Sequence, residues 1–422
     1  MGDLRIYLSV FLLVFAWVSW RNLRVGIYLI LIGLPLYLIK FKFGPIPTTL
    51  LELMIYISTL VWLAKVGLKR ERINWLALRA YGGPLLLILI GLVVGTYVST
   101  NRLISLGIIK GWFIDPILLF ALMISVLDRP VHIKKAIVAL MLSAGVLSAV
   151  ALYQAITNQF ITIDGRASAV FSSANYLSLF VVPVVILGLG LLSSIARRWR
   201  WWVVVALLLM LGAVYFTRSY AGWLGLMAGL IVLMLCRTRV WVVAVSGAGV
   251  ALIAILSQWQ HPKFQQMLDL IGRSSSHVRL QVWQTAWLMI KEHPLTGIGL
   301  GLFEKRYLEF AEQLFSPPIE LNMLHSHNIV LQFLVNTGVS GAAGFVWIIV
   351  NFVRRIWSSA VNGRDVLSAA SLAALVALLT HGMLDMAYWK NDLSALFWVI
   401  VAFGIILSSN LTYARKDIHH RN

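Results

Sequence analysis

Long apolar runs separated by short polar stretches set the pattern of this chain. Thirteen runs can be drawn: Ile6–Trp20, Val25–Ile39, Thr48–Ala64, Tyr81–Val98, Gly111–Leu127, Ala136–Ile156, Phe171–Ala196, Trp201–Phe216, Tyr220–Leu235, Val240–Leu256, Asn328–Val353, Val366–Met386 and Leu393–Ser409. Most approach the length of about 20 residues that a helix needs to cross about 30 Å of hydrocarbon. In lipid a spanning segment must satisfy its own backbone hydrogen bonds, so the runs are predicted to be helices, and strands of any consequence are not expected. The fold class read from this pattern is all-α, a polytopic membrane protein. The first run lacks a small-residue cleavage site and is followed at once by a second, which reads as a retained span and not a signal peptide. One stretch breaks the rhythm. Residues 257–326 are polar for far longer than any other interruption, so the chain reads as one transmembrane domain over 1–422 carrying a single large loop over 257–326.

Composition supports the membrane reading, with 60% apolar residues, 12% charged and 17 Trp. The net charge of +19 sets orientation. Lys and Arg cluster in the short loops Lys65–Arg79, Arg129–Lys135, Arg197–Arg200, Arg237–Arg239, Arg354–Arg364 and in the tail Arg415–Arg421. Alternation places these on one side, the cytoplasm by the positive-inside rule. A nucleic-acid role would need a basic soluble domain, and none is seen. Arg21 and Arg24 also look cytoplasmic, which conflicts in parity with thirteen spans. The conflict is relieved if one of the first two segments is re-entrant, or if the pair is one broken span; either gives about twelve spans with both termini inside. The long loop then faces the opposite side. The one cysteine, Cys236, rules out an internal disulfide.

Within the loop, Val278–Ile290 is predicted to be an amphipathic helix, with Trp283, Ala286, Trp287 and Ile290 on the apolar face and Gln281, Gln284, Thr285 and Glu292 opposite. Arg279 falls on the apolar face and must reach a partner anion, a backbone carbonyl or a lipid headgroup. Pro294 ends this helix, Gly297, Gly299 and Gly301 form a turn, and Phe303–Phe315 reads as a second short helix. The glycine run lacks a strand–turn–helix setting, so a nucleotide site is not expected.

Five of the nine histidines, His261, His277, His293, His325 and His327, lie in this loop or at its close. His325 and His327 sit just before the span that starts at Asn328, with Ser326 as the expected N-cap. A helix N-terminus attracts anions and disfavours a protonated imidazole, so a histidine here beside bound phosphate is suited to act as a general base. The alternative is that these histidines only cap the helix at the headgroup boundary. Arg218 lies between two apolar runs, where a charge is costly and usually functional, although a snorkelling arginine on lipid phosphate would look the same. Arg218 and Arg279 together could clamp a diphosphate in a two-pronged geometry that lysine cannot reproduce. Such a face suits a polyprenyl-diphosphate donor. Arg166 and Asn175 border the same face and could hold phosphate or sugar hydroxyls, or simply order a loop. His381 and Asp385, four apart, are expected to pair on one helix face as a buried structural bond, and Glu52 is a sugar contact or a satisfied buried acid. No carboxylate cluster for a divalent metal appears in these loops, so neither a metal nor a cofactor is expected.

Three motifs, TRSYAGWLG (Thr217–Gly225), RLQVWQTAWLMIKEHPLTGIGLGLF (Arg279–Phe303) and HSHNIVLQFLVNTGVSG (His325–Gly341), resemble the O-antigen ligase/polymerase family of bacterial membrane glycosyltransferases, and GRASAVFSSANYLS is similar to a further family segment. The resemblance covers most of Arg166–Gly341; the N-terminal third matches only in hydropathy. It implies a GT-C-type helical fold in the bacterial inner membrane, with a periplasmic loop containing short helices. It also implies metal-independent, inverting transfer of a glycan from undecaprenyl diphosphate. Carried over residue by residue, Arg218 and Arg279 bind the donor diphosphate and His327, just before Asn328, activates the acceptor hydroxyl, with His325 as a supporting group. The tract before Arg279 is short compared with the family pattern, which bears on acceptor recognition. Length and a single outer loop without an appended soluble domain favour a ligase acting on lipid A-core over a polymerase joining repeat units or a protein O-oligosaccharyltransferase. A secondary transporter is the alternative from another class, but its site would lie at the midplane between related halves, whereas the unusual residues here gather at one face.

Overall fold

The computed structural model describes residues 2–43, 46–237, 274–362 and 365–419. The predicted run Val240–Leu256, the 257–273 part of the long loop with His261, and Arg239, Arg364 and Arg421 lie outside the described residues. Each of the other predicted runs contains a helix, and the chain is a mostly helical, multi-pass membrane protein. Among the described residues eight helices are long and apolar enough to cross a membrane. In chain order the helices are α1 Gly2–Arg21, α2 Leu23–Ile32, α3 Leu50–Gly67, α4 Trp75–Val98, α5 Arg102–Ile108, α6 Asp115–Val126, α7 Pro130–Thr157, α8 Ala174–Leu192, α9 Arg197–Thr217 and α10 Tyr220–Leu235. They continue as α11 Ser275–Glu292, α12 Phe303–Ala311, α13 Ile329–Val361, α14 Val366–Gly382 and α15 Asn391–His419. A π-helical turn, Ile109–Ile114, joins α5 to α6.

Three expectations need correction. An antiparallel hairpin, β1 Lys40–Phe43 with β2 Ile46–Thr49, forms where no strand of consequence was expected; Lys40 pairs with Thr49. The Lys-Phe-Lys-Phe alternation has period two, and Pro45 and Pro47 oppose a helix. In α11 the buried stripe is Val282, Thr285, Ala286, Met289 and Ile290, while Trp287 is about half exposed. Thr285 can be buried because its hydroxyl donates to the Gln281 carbonyl of the preceding turn, at 2.9 Å. Third, α14 stops at Gly382, so Asp385 leaves the helix and does not pair with His381.

Packing holds the loops at one end of the bundle in fixed places. Helices α4 and α13 lie backbone to backbone: a Cβ on Gly95 would sit 2.4 Å from the Asn336 carbonyl oxygen, so only glycine allows this approach. At Gly338, φ is +62° and ψ −168°, a conformation open essentially to glycine alone, and the resulting kink in α13 lets Val339 N–H bond the Pro294 carbonyl at 3.0 Å. Gly297, Gly299 and Gly301 also take positive φ in the turn between α11 and α12. The loop from α14 to α15 is anchored by Tyr388 and Trp389, which pack into a cluster with Phe113, Phe333 and Phe345. Trp398 donates to the Tyr388 hydroxyl at 3.1 Å. Each such aromatic pair contributes on the order of 1 kcal/mol beyond its buried area. The backbone carrying Asp385 is thereby fixed from below.

Candidate active site

Asn328, not Ser326, caps α13: its Oδ1 accepts from the Val330 and Leu331 N–H groups at 2.9 and 3.1 Å. Its Nδ2 donates to the Met383 carbonyl at 3.0 Å, which stitches the HSHN segment to the α14–α15 loop. Ser326 instead locks the turn, receiving Gln332 Oε1 on its N–H at 2.8 Å and donating its hydroxyl to the Asn328 carbonyl at 3.0 Å. The turn so formed holds His327 at φ +50°, a left-handed conformation uncommon for residues other than glycine.

This geometry delivers His327 to Asp385. His327 Nδ1 lies 3.4 Å from Asp385 Oδ1, a contact at the long end for a hydrogen bond. Asp385 is buried and also accepts from Asn175 Nδ2 at 2.6 Å and from the Met386 N–H at 2.8 Å. Burial alone would raise its pKa; the bond to His327 and the nearby imidazoles more than offset this and hold the carboxyl well below its usual range. Asn175 Oδ1 accepts from Arg166 Nη1 at 3.1 Å, and Arg166 is turned by Asp164 and by the Thr217 carbonyl at 3.5 Å. A continuous polar line therefore runs from Arg166 through Asn175 and Asp385 to His327.

His325 stands beside His327, with ring centroids 4.3 Å apart, and its Nε2 bonds the Tyr176 hydroxyl at 3.1 Å. Burial, then the neighbouring His327, pushes His325 down to about 3, so it is a neutral group at ordinary pH. The Tyr176 ring is covered by the buried Lys390 ammonium, 4.1 Å from its centroid and 4.1 Å from that of Phe171, with Asp392 at 3.6 Å.

Arg279 finds a backbone carbonyl: Nε donates to Leu384 O at 2.9 Å, and Nη1 reaches Ser275 O at 3.4 Å. With His327, Ser275, Val278 and Glu320 it lines an open cleft of about 320 Å³. The structure thus brings His327, His325, Asn328, Arg279, Asn175 and Arg166 into one constellation. Arg218 follows Thr217, whose carbonyl Arg166 reaches, in the turn between α9 and α10, at φ +47°. Glu52 is a satisfied buried acid, accepting from the Thr48 hydroxyl at 2.8 Å and from Lys110 Nζ at 2.7 Å.

Sequence reasoning missed Asp385 as the partner of His327, and missed Tyr176, Lys390 and Glu320. Helix α14 ends at Gly382, with Met383 as its C-cap, which separates Asp385 from His381. The expected absence of a metal-ligating cluster rested on the loops taken separately. In the fold His325, His327 and Asp385 present ligand atoms all within 4.8 Å of one another, a two-histidine, one-carboxylate set that could hold a metal ion.

Residues 205–346, which include Arg218, Arg279, His325, His327 and Asn328, match the family model described as O-antigen ligase. Over 362 residues the chain is 22% identical to a Rickettsia conorii protein that bears the provisional name of polysaccharide ligase; the match covers 82% of this chain and 84% of that protein.

Proposed function

We propose that this chain is a GT-C-type glycosyltransferase of the bacterial inner membrane that moves a glycan from undecaprenyl diphosphate to a hydroxyl of lipid A-core. About twelve spans would place the 257–326 loop and the cleft in the periplasm. The observation that carries the reading is the juxtaposition of a carboxylate-backed histidine and an arginine on one cleft.

In this reading Asp385 fixes the tautomer with the proton on His327 Nδ1, which leaves Nε2 free to accept. The acceptor O–H gives its proton to Nε2 as its oxygen attacks the anomeric carbon. The C–O bond to the diphosphate breaks from the opposite face, so the configuration inverts. Arg279 and Arg218 hold the donor and take up the negative charge of the leaving diphosphate. Asn175 and Arg166 keep Asp385 in place, Asn328 sets the end of α13, and His325, neutral and bonded to Tyr176, packs against the base. Because the leaving group is already good, the arginines can supply the charge stabilisation without a metal or other cofactor.

Purified protein reconstituted with an undecaprenyl-diphosphate glycan should consume the donor and glycosylate lipid A-core with inverted configuration. Elongation of a second donor molecule would make it a polymerase, modification of a protein acceptor a protein O-oligosaccharyltransferase, and unconsumed donor would point to a transporter. His327→Ala should lose about 10²–10⁴-fold in turnover while still binding donor, and His325→Ala should lose far less. The reverse order of the two variants, or a retained configuration, would overturn the mechanism.

A further inference from the structure

We infer that Glu320 is the acceptor-binding residue of the cleft, and that the part of the acceptor it contacts is an uncharged sugar bearing neighbouring hydroxyls. The inference rests on the glycosyl-transfer reading above and extends it to the second substrate.

The cleft has three ionisable linings of different chemistry: Arg279, His327 and Glu320. A diphosphate matches the guanidinium and is repelled by a carboxylate, so Glu320 is ill suited to the donor's charged group. An ionised carboxylate only accepts hydrogen bonds, and its two oxygens match two O–H donors on adjacent carbons. The same preference disfavours an acceptor whose contacted sugar is phosphorylated or acidic. Glu320 is therefore assigned to sugar hydroxyls, and of the two reactants the acceptor is the one that must bring a hydroxyl to His327 in the same cleft.

Its position is built into the fold. The preceding residue, Ile319, donates its backbone N–H to Gln281 Oε1 at 3.0 Å, which ties the segment to α11, the helix that carries Arg279. Pro318 beside it is buried. The donor-side arginine and the proposed acceptor-side carboxylate are thus referenced to the same helix, so their separation is set by one rigid element. Few precisely placed polar groups in a cleft are the usual means of fixing a ligand's orientation.

The test uses the full-length protein reconstituted with an undecaprenyl-diphosphate oligosaccharide as donor and rough lipopolysaccharide as the acceptor probe. Glu320→Ala should raise the acceptor KM on the order of 10–100-fold, the range for a lost charged hydrogen bond. The donor KM and the turnover at saturating acceptor should stay within about twofold, which also shows that the variant is folded. Glu320→Gln, which retains one accepting oxygen, should fall between the two. An unchanged acceptor KM in both variants, or a rise confined to the donor KM, would overturn the assignment while leaving the glycosyl-transfer reading intact. Absence of transfer by the wild-type protein would remove both.

Discussion

Asp385→Asn keeps the size of the side chain and removes one accepting oxygen, and the surroundings of Asp385 show what that costs. Three donors converge on the carboxylate: Met386 N–H at 2.8 Å and His327 Nδ1 at 3.4 Å on Oδ1, and Asn175 Nδ2 at 2.6 Å on Oδ2. An amide offers one oxygen and two N–H groups. Turning that oxygen toward Met386 and His327 sets the new NH2 against the NH2 of Asn175. Asn175 cannot simply flip, because its oxygen already accepts from Arg166 at 3.1 Å. Turning the oxygen toward Asn175 sets the new NH2 against His327, which then favours the tautomer with its proton on Nε2, unable to serve as a base. One charge-assisted bond is lost in either arrangement, about 1.5–3 kcal/mol of stability, which a typical fold survives. The catalytic loss should be about that of a disabled general base, 10²–10⁴-fold, or roughly 3–5 kcal/mol on the barrier. Turnover of the lipid-linked donor at saturating substrates, with thermal unfolding in detergent alongside, reads both effects. A folded Asp385→Asn protein working within about threefold of wild type would show that Asp385 does not orient the base.

Arg279→Lys should keep the fold and lose at least about tenfold in turnover, because the ammonium cannot hold Leu384 O and the diphosphate in the same fork geometry; wild-type rates in the transfer assay would remove the clamp. Activity should persist in excess EDTA, and recovery of a lost rate by Mg²⁺, Mn²⁺ or Zn²⁺ would instead assign His325, His327 and Asp385 to a metal. His325 sits at about 3 in the fold against about 6.5 when exposed, so between those values the unfolded chain binds the extra proton. Its contribution to stability is full above about pH 6.5 and declines as the pH falls toward 3, by roughly 2–3 kcal/mol at pH 4.5. Thermal unfolding at pH 7 and 4.5 should therefore show a smaller acid loss in His325→Gln than in wild type, and equal losses would refute the burial argument.

The chain's apolar runs determined by themselves that it is helical and multi-pass, because lipid leaves no other way to satisfy the backbone over such lengths. Local motifs likewise marked His327, Arg279 and Arg218, since an imidazole before a helix and an arginine on an apolar helix face are unusual wherever they occur. Tertiary structure decided what those residues meet. Asp385 lies 58 positions after His327, and Asn175 lies 152 before His327, and no periodicity connects them; they meet because Gly190 lets α8 pack closely on α14, Asn328 bonds the Met383 carbonyl and an aromatic cluster fixes the α14–α15 loop. The same holds for Glu320, an ordinary loop acid in the sequence that shares a cleft with Arg279 and His327. Its meaning depends on the turn that brings it back to α11. Hydropathy acts residue by residue along the chain and can be read there, whereas a carboxylate's role is set by the charges and donors around it, and those are supplied by other helices.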